Sequence, residues 1–523
     1  MPVRLPRVPR FSPAILALIL LLAWLALAPR TPDLAAAVYR ALLFARDGLQ
    51  LYDTNWFGGF QLPGYSLLFP PLAGLIGVRL TGVLAAACST FLLQRVLARH
   101  FGPLAVTTRM LCALGPLADL IIGRLSFSLG VSFALAALLA FQYQRPRAAT
   151  VAAALSAVSS PITGLFLVLA LTAHWLADPR RREPLMIAAV TFLIVGALAV
   201  AFPAGGHEPC SIGTLASVVI YSGAFAYVLS PQERTLRIAA GLYALAGLAS
   251  FLLPTPMGGN ISRLGPECAP ALLLAAHAAG RTRISRRWLI ALFALFFGWQ
   301  WFAPVRELTK FNDPSYKAGF YQPLVSALRA RTRGPVRVEV PFTRSHWEAV
   351  YLGERVELAR GWETQLDTRY DQLFFKANLS SSAYRHWLET NAVSYVALPR
   401  VPMDPAGTRE ARLIARNPGY LRPVWHNSQW QLFRVLSATP LAGTRNFTTF
   451  GSGGFSLHVS RPGTTVIRLH WTSYWSVQGQ ACVAPTPSGW TAVSASAPGT
   501  VKVRSDLSVA GLLGTTRRCG HGA

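Results

Sequence analysis

Apolar residues fall in long blocks over the first 303 residues and in short alternating runs after that. A membrane helix needs about 20 mainly apolar residues to cross the hydrocarbon core. The block 11–28 predicts a first, uncleaved span behind the basic decapeptide MPVRLPRVPR. The block 70–96 exceeds one span and is interrupted by Gly77 and Arg79, which predicts a short interfacial piece followed by a full crossing. Further spans are expected at 103–122, 125–141, 185–202, 212–229, 238–253 and 288–302, with a short one near 268–279. The block 149–175 carries Ser159-Ser160-Pro161 at its middle. Proline cannot continue the helical ladder, so two shorter helices should turn there, as a packing kink or as part of a cavity wall. The pattern predicts a polytopic α-helical membrane domain of about 10–12 spans over 1–303.

The loops between blocks alternate in character. RVLARHFG, QYQRPR, ADPRRREP, SPQERTLR and GRTRISRR are basic, while PAGGHEPCS and PTPMGGNISRLGPE are not. The positive-inside rule puts the basic set in the cytoplasm and everything after 302 outside the membrane. From 304 the chain reads as an extracytoplasmic mixed α/β domain, 304–443. VRVEVPF and VSYVALP are its expected strands, and SAYRHWLETN is a helix started by serine. Over 444–523 the runs FSLHVSR, TTVIRLHW, WTAVSASA and VKVRSDLSV predict the strands of a β-sandwich.

One connection departs from the short-loop norm, the first outer loop at 29–71. Its first half has a helical pattern, with Leu34, Val38, Leu42 and Phe44 toward lipid headgroups or protein, and Arg40, Arg46 and Asp47 toward water. Its second half places Trp56, Phe57 and Phe60 around Gly58-Gly59, a composition that suits a membrane–water boundary. Asp33, Asp47 and Asp53 are its carboxylates.

Composition adds two restrictions. The net charge of +27 would indicate nucleic acid in a soluble protein, but the arginines sit in short loops between apolar blocks, so no nucleic-acid partner is expected. The six cysteines form no CxxC or Cys/His metal pattern. Cys88 and Cys112 fall in predicted helices. Cys210 with Cys268, or Cys482 with Cys519, are outer-face pairs open to disulfide formation. Phosphate-loop, HExxH, GxSxG and dinucleotide signatures are missing, and GSGGF at 451–455 reads as a β-turn.

The loop acid after the first span, followed by WFGGFQLPGYSLLFPPL at 56–72, resembles the GT-C superfamily of polytopic glycosyltransferases, nearest its bacterial YfhO-type and related members. RGWETQLD, YVALP, HWTSYWSV and a terminal GW extend the resemblance beyond the membrane. It implies a GT-C-like fold in the bacterial plasma membrane. It also implies transfer of a sugar from a polyprenyl-phosphate donor to an envelope glycan or lipid acceptor at the outer face. Carried over by position, the loop acid falls on Asp33, with Asp53 second. The chemistry is consistent, since a base must take the acceptor hydroxyl's proton and cations must receive the leaving phosphate. Arg40, Arg124 and Arg263 are the candidates for the phosphate, with Arg46 also on the outer face. Trp56 with Phe57 would cover the substrate cavity, Tyr65 and the Pro70-Pro71 turn would wall it, and Trp362, beside Arg360, Gly361 and Gln365, would stack on sugar or pack a turn. Asp53 has a second possible role, capping the turn before Asn55-Trp56. No cofactor is expected. A divalent metal would need an acid from the next outer loop, where only Asp119 occurs, so the enzyme is metal-independent or the fold is reused without catalysis. A transporter or flippase and a non-catalytic envelope assembly protein are the alternatives. Against the transporter, the sequence shows no inverted repeat.

Overall fold

A computed structural model of the protein describes residues 12–203, 205–310, 313–443, 446–505 and 518–519. The basic decapeptide, the boundary at Thr444 and positions 506–509 of the last expected strand lie outside the described residues. The chain forms two compact units. One gathers Met1–Arg30, Ser66–Ala197 and Glu208–Lys310, and the other Thr31–Tyr65, Leu198–His207 and Phe311–Ala523.

The first unit is helical. Helix α1 (Pro13–Leu27) realises the first block, and α2 (Pro32–Asp47), which belongs to the second unit, starts after a link of four residues. The 70–96 block divides at Gly77 into α3 (Phe69–Ile76) and α4 (Val78–Phe101), as its pattern predicts. The expected span 103–122 is broken into α5 (Val106–Leu111) and α6 (Leu114–Ile122). Pro116 lacks the N–H that would bond back across Cys112-Ala113, so the ladder restarts there. Helix α7 (Leu125–Gln142) follows, then α8 (Pro146–Ser159) and α9 (Pro161–Ala177). These last two fold back on each other at Ser160, with Ala149 and Ala153 in one core with Leu167 and Leu171. The unit continues with α10 (Glu183–Ala201), α11 (Ile212–Val228), α12 (Arg234–Leu252), α13 (Leu264–Ala278) and α14 (Arg286–Leu308).

Among the described residues, α4, α7, α10, α12 and α14 are each long and apolar enough to cross a membrane, and α1 with α2 qualify only as a broken pair. The other helices that the pattern counts as spans are shorter, since 14 to 17 residues at about 1.5 Å each fall short of a roughly 30 Å core. The chain is a multi-pass helical membrane protein. A cavity of about 270 Å³ opens among α4, α7, α9 and α11 to α14, lined almost wholly by apolar side chains with His100, His174 and Glu267. The turn at Ser160-Pro161 therefore delivers a helix to a cavity wall.

The second unit is mixed. Its first-loop segment forms the ribbon β1 (Tyr52–Asp53) and β2 (Phe60–Gln61). A five-stranded sheet runs β4-β3-β5-β7-β6, made of β3 (Arg337–Glu339), β4 (Glu357–Leu358), β5 (Val393–Pro399), β6 (Leu421–His426) and β7 (Trp430–Val435). Strands β4, β3 and β5 are mutually parallel, and β7 and β6 close the sheet antiparallel. Helices α15 (Ala318–Arg329), α16 (Glu348–Tyr351), α17 (Thr364–Tyr370), α18 (Ser381–Thr390) and α19 (Pro405–Ala415) connect it. The cap of α18 is Ser380, whose hydroxyl accepts from the Ala383 N–H. The remaining strands are β8 (Asn446–Gly451), β9 (Gly454–Val459), β10 (Gly463–His470), β11 (Trp475–Gln478), β12 (Ala481–Pro485), β13 (Trp490–Ala495) and β14 (Gly499–Ser505). They pair as β11-β14-β9-β8 and β10-β13-β12, and the two sheets share one core. GSGGF is the β8–β9 turn. Cys482 and Cys519 form a disulfide, whereas Cys210 and Cys268 are free.

The first outer loop is where sequence and structure differ most. Trp56, Phe57 and Phe60 are at most 2% exposed and form part of the second unit's interior, not a membrane-interface belt. The Trp56 indole stacks on Tyr39 at 4.0 Å and donates to the Ala349 carbonyl. Trp56 bridges to Leu358 in parallel, and the Leu358 N–H donates to the Asn55 carbonyl, so the loop adds a rung outside β4. Tyr52 joins the sandwich core. The second glycine of GGF is required at this point. Gly59 has φ +103°, and a Cβ on it would lie 1.8 Å from the Tyr52 hydroxyl oxygen.

Candidate functional site

Three parallel strands send their following loops to one end of the sheet, the place where open α/β sheets bind ligands. Here those loops line a pocket of about 120 Å³. Phe342 follows β3, the stretch Gly361–Asp367 follows β4, and Asp404 and Ala406 follow β5. The segment 361–363 faces α2. The Trp362 indole N–H donates to the Pro32 carbonyl at 2.9 Å, and the Trp347 indole N–H donates to the Thr31 carbonyl at 3.2 Å. Two tryptophans thus fix the start of α2, and Asp33 follows immediately, half-buried in the first helical turn. A carboxylate there interacts favourably with the helix dipole.

About two turns further on, Arg40 is 3% exposed. It ion-pairs with Glu363, donates to the Ala36 carbonyl at 3.3 Å, and lies over the Tyr65 ring at 4.1 Å. Burial pushes the Glu363 carboxyl up, and Arg40 pulls it the other way. On the far face of Trp362, His346 stacks at 3.4 Å in a left-handed backbone conformation, φ +57°. Its Nε2 stands 3.5 Å from Asp404. Burial raises the Asp404 carboxyl, but His346, the Ala406 N–H and Arg360 together outweigh it and hold the group below its ordinary value. The pocket therefore combines aromatic faces with carboxylates that already hold cations. That suits a polyhydroxylated ligand, whose hydroxyls need acceptors and whose apolar face needs a ring.

Of the residues singled out by sequence, Asp33, Arg40, Tyr65 and Trp362 fall around this end of the sheet. Asp53 is fully buried, accepts from the Tyr39 hydroxyl at 2.6 Å and from the Asn55 N–H at 3.1 Å, and so caps the turn before Asn55-Trp56. Trp56 is fully enclosed. Arg40, which the helical pattern turned toward water, is buried, and Leu42 is 41% exposed. Arg360 is sealed between Phe342 and Phe374 and bonded to Asp367 and Glu410, so it belongs to the core. Arg124 and Arg263 are in the helical unit. There Arg263 lies 5.5 Å over Phe127, and Arg124 is in the field of Glu267, which hydrogen-bonds Asp119. Sequence reasoning passed over Glu267, Asp404 and Glu363, although Glu363 lies inside the RGWETQLD segment. Among the described residues, no group of three or more His, Cys, Asp or Glu side chains is arranged to hold a metal ion.

No family model matches the sequence, and no curated protein matches it. Among solved structures, the chain is similar to ArnT from Cupriavidus metallidurans, in a crystal structure bound to undecaprenyl phosphate. Identity is 12%, the TM-score is 0.38, and the alignment covers 80% of this chain and 97% of ArnT. A likeness this distant gives no residue a role and this chain no substrate.

Proposed function

We propose that the protein is an integral membrane glycosyltransferase that moves a sugar from a polyprenyl-phosphate donor to an envelope glycan or lipid acceptor outside the cytoplasm. The observation that carries this reading is the half-buried Asp33 in the first turn of α2, held next to Trp362 at the carboxyl ends of the parallel strands. In the reaction Asp33 takes the proton of the acceptor hydroxyl as its oxygen attacks the anomeric carbon. The bond from that carbon to the donor phosphate breaks, and the phosphate leaves as an anion. Arg40 supplies positive charge through the guanidinium nitrogens that Glu363 does not occupy.

A second reading is a non-catalytic envelope assembly protein. It is favoured by the pairing already in place, with Glu363 on Arg40, Asp367 on Arg360 and Asp404 near His346. Reconstituted protein and a labelled polyprenyl-phosphate sugar separate the two. Loss of a general base costs about 10²–10⁴-fold in rate, so Asp33→Asn should fall by that much. Asp53→Asn, altered at a turn cap, should keep most of the wild-type rate. Wild-type turnover by Asp33→Asn overturns the base assignment. Donor binding without turnover by the wild-type protein favours the assembly reading.

A further inference from the structure

The second unit has another pocket, of about 430 Å³, with the opposite electrostatic character. It lies between the α17–α18 region and the ends of β10 and β13. Its wall is a ladder of rings, Tyr370 on His470 at 3.9 Å and His470 on Trp490 at 4.3 Å, all nearly parallel. A guanidinium closes each end, with Arg369 4.9 Å over Tyr370 and Arg468 5.7 Å over Trp490. The buried Arg337, ion-paired with Glu357 at 3.1 Å, donates to the Arg468 carbonyl. Burial, with Arg337 and Arg369 adding to it, takes the His470 pKa down to about 3.

The pocket is rich in donors. The Trp490 indole N–H, on a residue 2% exposed, has no hydrogen-bond partner among the described residues. Thr390, Asn391 and Ser488 supply hydroxyl and amide groups, and no carboxylate is among the lining residues. Cations select an anion, ring edges and small polar side chains match hydroxyl groups, and the volume lies within the roughly 300–1,000 Å³ of small-molecule sites. From this geometry we infer that the Tyr370–His470–Trp490 pocket binds an anionic saccharide unit, one carrying a carboxylate or phosphate group. The inference does not depend on sugar transfer at Asp33, because it concerns different residues and is measured as binding.

The test uses full-length protein in lipid nanodiscs, followed by intrinsic tryptophan fluorescence and calorimetry. Three probes are compared: tetragalacturonate, the neutral tetrasaccharide cellotetraose, and inorganic phosphate. Tetragalacturonate should bind and perturb tryptophan emission, with affinity falling as salt rises. Arg369→Gln and His386→Gln alter exposed pocket residues that are compatible with folding. Arg369→Gln should weaken tetragalacturonate by roughly tenfold, the effect of losing one charge-assisted contact, and His386→Gln should weaken it by less. No binding of tetragalacturonate overturns the inference, as does equal binding of cellotetraose. Phosphate binding as tightly as tetragalacturonate reduces the pocket to an anion site and also overturns it. Unchanged affinity in both variants places the saccharide elsewhere.

Discussion

Arg40 shows how much one side chain can depend on a distant partner. On the helical pattern of 33–47 it shares the polar face with Arg46 and Asp47, yet it is buried against Glu363, 323 positions away. A buried ion pair broken on one side leaves an uncompensated charge, which costs about 3–5 kcal/mol. Glu363→Gln should therefore lower the denaturation midpoint of the protein clearly, whereas the exposed Arg46→Gln should change it little. Equal effects of the two would show that the Arg40–Glu363 pair contributes nothing. Asp53 gives a pH prediction at the same scale. Burial pushes its carboxyl from an ordinary 3.8 up to about 6, and that of Glu357 from 4.5 up to about 7. Below pH 3.8 each is protonated in both folded and unfolded chains. As pH rises, the unfolded chain releases its protons first, so the stabilisation is lost between about pH 4 and pH 7. Thermal unfolding should occur at higher temperature at pH 5 than at pH 7.5, with a smaller difference in Asp53→Asn. A flat profile across this window would contradict the assignment.

At the level of elements, the segment 51–61 behaves as an added edge of the five-stranded sheet. It is held by the Trp56 side chain and by close backbone approach. Gly361 permits that approach, since a Cβ there would stand 2.5 Å from the Trp56 ring. Gly361→Ala should loosen the segment from β4 and make 48–65 sensitive to limited proteolysis. Trp56→Ala removes a fully buried indole, for which losses of about 3–5 kcal/mol are usual. It should have the same effect. Resistance of both variants to proteolysis would mean that the loop is anchored by other contacts.

For the whole molecule, the second unit is assembled from three stretches of chain. Tyr39, Tyr52 and Trp56 from Thr31–Tyr65 are all at most 1% exposed within it, and Thr368 bonds to His207. A fragment of 313–523 alone should therefore be aggregation-prone or partly folded, and fusing 31–65 to it should restore cooperative unfolding. Cooperative unfolding of the bare fragment would show that the loop is dispensable. Disulfides such as Cys482–Cys519 persist in oxidising compartments. A reporter fused at Ala523 should be active only outside the cytoplasm, and activity inside it would reverse the topology read from the basic loops.

The sequence by itself determined the local elements. Runs of apolar residues located α4, α7, α10, α12 and α14, Gly77 and Pro161 marked two real breaks, and alternation located β5, β9, β10 and β13. These signals are legible because helix length, proline geometry and strand period act over neighbouring residues. Part of the candidate site was legible too, because Asp33, Arg40, Tyr65 and Trp362 carry their chemistry in their residue types. Only the tertiary structure decided what each of them meets. Apolar periodicity shows that a face is buried but not against what, so Trp56 read as a membrane-belt aromatic and Arg40 as a water-facing cation. Glu363, Asp404 and His346 became neighbours through parallel strands joined by long crossovers. Pairing of that kind is fixed by packing across the whole unit, and no stretch of sequence encodes it locally.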